Sequence, residues 1–338
     1  MFFVAASFTA AAQSIPVDMR DALVVEFHFS PSDLGRAEAG KAVAKIVPTG
    51  RPDDVRMAGV VLVHVSSADF IRAFRDIEHF EIGKEVRRTG RFSSPPAESD
   101  FVGYHLPDLT RADLAACRPG NCAYKFSAQE MEDLQTKVDW SAPAASERAE
   151  EMIHKMLIAR LLDYQQRGDA ALDVYYDTRA PYSVAQGLHS LMGAETRLWS
   201  TFPDLLRYAE NYPKDKPPNT DDFFYWQEAA FGLRHVERVQ HVIIQKVPRP
   251  SVDPHYAIIS KMLFATHYFR AAIQFNYVYP VRTSAGEPAV YFVAAQRSYV
   301  DGLTGAKGAI VRHIADSRSP ARLEANLDLA RQQLERAR

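Results

Sequence analysis

His235, Glu237 and His241 stand close together in this 338-residue chain and are of the types that bind metal ions. On a strand they share a face but spread over roughly 20 Å at about 3.3 Å per residue, too far for one ion. His-x-x-x-His on a helix would work, but this spacing differs, so the three read as solvated strand residues. His267, between Thr266 and Tyr268, lies in an apolar and aromatic run. An imidazole there acts as a general base, orients a polar head group, or serves the commoner role of a hydrogen-bonded core histidine. Asn276, Gln296 and Arg297 fall on strand-like segments. Those that point into a cavity need a ligand's polar group as partner, while Arg297 has the outer face as its alternative. The glycine-flanked serine of residues 187–193 lacks the G-x-S-x-G spacing, and Gly302, Gly305 and Gly308 lack a phosphate-loop pattern. No metal or cofactor is therefore expected. Cys117 and Cys122 enclose a Pro-Gly turn and read as a local disulfide whose contribution is about 2 kcal/mol or less.

The elements that position these residues are legible from periodicity. Residues 32–46 read as a helix opened by capping chemistry, 55–65 as a strand, 69–80 as a helix with Phe70, Phe74 and Ile77 on one face, and 85–90 as a strand. A loop-rich stretch around 93–96, Pro107 and the cysteine turn opens a helix-rich insertion, expected over 97–232, with helices at 127–138, 149–166 and 184–212. Residues 223–226, Phe-Phe-Tyr-Trp, read as a helix docking stripe, with a lid as the alternative. Strands follow at 236–247, 256–268, 271–281 and 289–299, the middle two without an evident turn between them, as an antiparallel meander. A glycine loop, read as a portal, and an amphipathic helix from Ser319-Pro320 close the chain.

The order of strand, helix, later antiparallel strands, glycine loop and terminal helix resembles the START-like, or helix-grip, superfamily over residues 53–80 and 233–338. The resemblance implies an α+β fold in which a curved antiparallel sheet packs on a long C-terminal helix around an apolar cavity. Members bind lipids, sterols or polyketides, and some are cyclases or receptors. The expected organisation is one domain over 13–338 carrying the helical insertion. Candidate ligand-binding residues are Tyr225, Trp226, His267, Asn276, Tyr277, Tyr291, Gln296, Arg297 and Tyr299.

Residues 1–12 read as a secretory signal, possessing an apolar run with Ala10 and Ala12 before a cut ahead of Gln13 but lacking a basic n-region. Export, periplasmic or secreted, suits the disulfide. No apolar run is long enough for a membrane span in the mature chain. A formal charge of −2 gives no field for steering nucleic acid. The leading expectation is a non-catalytic carrier or binder of a hydrophobic or amphipathic small molecule. An enzyme of cyclase or hydratase type, using His267 or a tyrosine, and a protein-interaction module are the alternatives.

Overall fold

The computed structural model describes residues 14–80, 85–104, 106, 110–194, 198–230, 234–249, 252–302 and 305–336, and side chains are described within these except at 249, 252 and 305–319. The expected signal segment and Pro107 lie outside the described residues. Two short helices, α1 (Val17–Val25) and α2 (Pro31–Glu38), precede the antiparallel pair β1 (Val43–Val47) and β2 (Asp54–Val63). Ser30 caps α2 in a reciprocal pair with Asp33, and Pro31 takes the first turn. The helix expected to reach residue 46 ends at Glu38, because Gly40 at φ +78° turns the chain into β1. Next come α3 (Ser67–Arg75), capped by Ser66, α4 (Ile77–Phe80) and β3 (Val86–Arg91).

A helical layer follows, comprising α5 (Arg111–Ala115), α6 (Ala128–Lys137), α7 (Ala145–Arg167), the small hairpin β4 (Val174–Tyr175) and β5 (Tyr182–Ser183), α8 (Val184–Gly193) and α9 (Pro203–Asn211). The chain then forms β6 (Thr220–Ala230), β7 (His235–Arg249), β8 (Val252–Ala265), β9 (Phe269–Arg282) and β10 (Pro288–Val300), and ends in α10 (Gly305–Arg336). The expected docking stripe at 223–226 is the middle of β6, a strand missed because aromatics on both faces hide the period of two. β8 and β9 are separate strands, joined through Tyr268 at φ +59°, a left-handed residue that carries no glycine or proline signal. α10 begins well before Pro320, which lies inside it.

Eight strands form one open sheet in the order β1-β2-β10-β9-β8-β7-β6-β3, with every pair antiparallel. The fold is thus mixed α+β around a large antiparallel sheet. Both faces are covered. One carries Phe224, Ile243, Ile259, Phe275 and Val293 against α7, α8 and α9. The other carries Phe223, Val242, Ile258, Val278 and Phe292 with Phe70 and Phe74 of α3 and Leu323 and Leu327 of α10. Gly59 of β2 is bare because a Cβ there would stand 2.6 Å from Leu327 Cδ1. Among the described residues no helix is long and apolar enough to cross a membrane. Cys117 and Cys122 are disulfide-bonded, with Cα atoms 4.4 Å apart.

Candidate functional site: a polar row on one face of the sheet

Cross-strand partners in an antiparallel sheet point to the same side, so the register decides which side chains converge. Gln296 pairs with Gln274, Gln274 with Ser260, and Ser260 with Val242, which places all four on the α3 and α10 face. Asn276, two residues from Gln274, pairs with Ala294 and Ile258 of that face, and Gln240 pairs with Tyr225. Five polar side chains therefore run from β10 to β7 over about 14 Å, three strand spacings. Met57 of β2 faces Gln296 and Met262 of β8 faces Gln240, so the row is flanked by flexible apolar groups.

Gln240, Ser260 and Asn276 are 6%, 4% and 4% exposed, and Gln274 and Gln296 are half-buried. Among the described residues none of the five has a side-chain hydrogen bond. The enclosed, partnerless polar atoms of the described residues lie elsewhere, so the row's amides and hydroxyl are open to a ligand's head group or to ordered water.

The expected site residues divide between the faces. Tyr225, Asn276 and Gln296 lie on the face of the row. Trp226, Tyr277, Tyr291, Arg297 and Tyr299 point into the helical layer instead. Trp226 Nε1 donates to the Asp100 carbonyl at 2.8 Å, and Tyr277 Oη bonds His255 Nδ1. Tyr299 Oη bonds Ser190 Oγ at 2.9 Å, while Arg297 grips both carboxylate oxygens of Asp54, at 3.0 and 2.7 Å. Tyr291 is fully buried. His267 lies in the β8–β9 turn, where Nδ1 donates to the Ala123 carbonyl at 2.9 Å and the ring packs on Tyr124. It ties the turn to the segment beside the disulfide rather than joining the row.

Of the three residues expected to be solvated on β7, His235 at the strand's start is half-buried, while Glu237 and His241 are buried, at 2% and 0% exposure, because the middle of this strand is covered on both faces. His241 sits at the centre of a second polar cluster, on the helical-layer side. Its Nδ1 is 3.0 Å from Tyr164 Oη, its Nε2 lies 3.7 Å from Asp222 Oδ1, and Phe224 and Tyr212 pack on its ring. Burial pushes the imidazole down to about 4, against a partial pull upwards by Asp222. Burial opposes ionisation of Asp222 too, but His241 and Lys216 outweigh it and hold the carboxyl well below its usual range. Lys261, wholly buried, is held by Asp169 and by the Ala209 carbonyl at 2.7 Å. These contacts join α7, α9 and the sheet, with rings enclosing the imidazole. Beside them Arg160, Tyr164, Asp173 and Phe264 line a cavity of about 20 Å³. That is room for one water. The arrangement clamps the helical layer to the sheet.

Gln240, Ser260 and Gln274 were not among the sequence-derived candidates. Gln274 alternates with apolar residues of β9 as Asn276 does, but Gln240 and Ser260 carry no such pattern, and the set becomes informative only once the register aligns it. Among the described residues no group of His, Cys, Asp and Glu could hold a metal ion. The chain matches no protein-family model and no curated protein.

Proposed function

We propose that this chain is an exported carrier or receptor that binds an amphipathic small molecule between the sheet and α10, with the polar row holding the head group. The carrying observation is the convergence of Gln240, Ser260 and Asn276, buried and without hydrogen-bond partners among the described residues, on one sheet face. The disulfide supports export to an oxidising compartment.

A helix-grip arrangement is supported by two contacts of α10. Glu324 Oε1 accepts from the Ala44 backbone N–H at 3.1 Å at one edge of the sheet. Arg322, two residues away, is 3.6 Å from Glu85, which abuts β3 at the opposite edge. Eight flat strands would separate these edges by about 34 Å, beyond the span of two neighbouring side chains, so a sheet curled towards α10 accounts for both contacts. The order β2, α3, α4, then β6 to β10 and α10 also agrees with the START-like reading.

The test is displacement of a fluorescent fatty-acyl probe from delipidated protein. Wild type is expected to bind with 1:1 stoichiometry, and the combined variant Gln240→Leu, Ser260→Ala, Asn276→Leu to bind at least tenfold more weakly. A wild type that fails to bind any amphiphile would refute the proposal.

A further inference from the structure

We infer that the polar row selects an uncharged head group, one bearing hydroxyl, ester or amide functions, over a carboxylate, phosphate or ammonium. This deepens the ligand-binding reading and rests on it. The row consists of three glutamines, one asparagine and one serine, Gln240, Gln274, Gln296, Asn276 and Ser260. Each amide offers a carbonyl acceptor and a two-proton donor, and the serine offers one hydroxyl that does both. Such a lining satisfies a head group that donates and accepts. It cannot neutralise an ion.

The surrounding charges are already engaged. Arg238, on β7 one residue pair from Gln240, donates to Gln227 Oε1 and lies over the Phe269 ring at 5.9 Å. Towards the other end of the strands Arg75 forms a two-bond pair with Asp221, while Arg91, in register with Tyr225 and Gln240, lies over the Phe223 ring at 4.3 Å. Phe223 stands between the Arg75–Asp221 pair and the row, and Tyr225 between Arg91 and Gln240. β2 and β10 present Met57, Gly59, Ala294, Gln296 and Ser298 there, all uncharged. Among the described residues the charges of α10 are paired as well, Arg322 with Glu85 and Arg331 with Asp328 and Glu335, so an ion brought against these strands loses its hydration without a free opposite charge there, whereas a neutral polyol or ester keeps its hydrogen bonds.

The experiment titrates delipidated full-length protein by calorimetry with three amphiphiles sharing a dodecyl-length tail, each below its micellar concentration. They are monododecanoylglycerol, dodecanoate and dodecyltrimethylammonium. The neutral glyceride is expected to bind at least tenfold tighter than either ion, and Asn276→Asp to weaken the glyceride at least tenfold while circular dichroism stays native. Equal or tighter binding of dodecanoate or of the ammonium overturns the head-group inference and leaves the carrier reading standing. Binding of none of the three overturns both. Should Asn276→Asp misfold, the wild-type rank order alone decides.

Discussion

Replacing Asn276 with leucine separates a ligand-facing amide from a structural one. Asn276 is 4% exposed, faces Ile258 and Ala294 across the strands, and has no side-chain hydrogen bond among the described residues. A fully enclosed amide without a partner costs about 1–3 kcal/mol, of which removing the partly accessible Asn276 amide recovers a share. Leucine has nearly the same volume, and the change of shape costs less than about 1.5 kcal/mol. The ligand-free Asn276→Leu protein is therefore expected to be more stable by about 1 kcal/mol or less, raising its melting temperature by about 1 °C. Loss of one hydrogen bond to a buried head group should lower ligand affinity about tenfold, which corresponds to about 1.4 kcal/mol. Urea denaturation of delipidated protein gives the first quantity and probe displacement the second. A variant destabilised by more than about 1 kcal/mol with unchanged affinity would show that the amide serves the fold, and the reasoning would fail.

Further predictions concern the clamp and the chain's close approaches. Because His241 is held at about 4 in the folded protein against 6.5 ordinarily, the unfolded chain takes up its proton first as pH falls. Stability should drop by about 3 kcal/mol between pH 6.5 and 4, and His241→Phe should lack that component when melting is followed across this range. A Cβ on Gly168 would lie 1.7 Å from the Tyr212 carbonyl oxygen at φ +60°, so Gly168→Ala should cost more than about 3 kcal/mol by urea midpoint. A loss under about 1 kcal/mol would mean that this contact yields readily. Asp169→Ala strands the buried Lys261 ammonium, whereas Lys261→Met leaves a carboxylate that is 22% exposed. Asp169→Ala should be the more damaging by about 2–4 kcal/mol, and the reverse order in thermal melts would contradict the clamp.

Much of the sheet was legible because β2, β9 and β10 show a clean alternation or a β-branched run, and local capping at Ser66 and Ser127 marked α3 and α6. What failed did so for physical reasons. β6 is buried on both faces, so its run Phe223 to Trp226 has no polar side and imitates a helical stripe. β1 follows a left-handed glycine too closely for a window to resolve it from α2. Asn276, Gln296 and Tyr225 could be picked out by type, but their cross-strand neighbours Gln240, Gln274 and Ser260 depend on long-range register. Sequence alone does not separate Trp226, Tyr277, Tyr291, Arg297 and Tyr299 from them, because a strand's two faces look alike when the helical layer also needs aromatic and polar partners. The sequence carries no sign that α7 and α9 cover β7, so it places His241 in solvent where the fold buries it.

Native mass spectrometry of the full-length protein, followed by organic extraction, tests the central claim most directly. A stoichiometric adduct of an uncharged amphiphile, absent from the combined Gln240→Leu, Ser260→Ala, Asn276→Leu variant, is the predicted result. Wild-type protein that flies bare, and stays bare after incubation with a mixed pool of neutral and charged lipids, would contradict it.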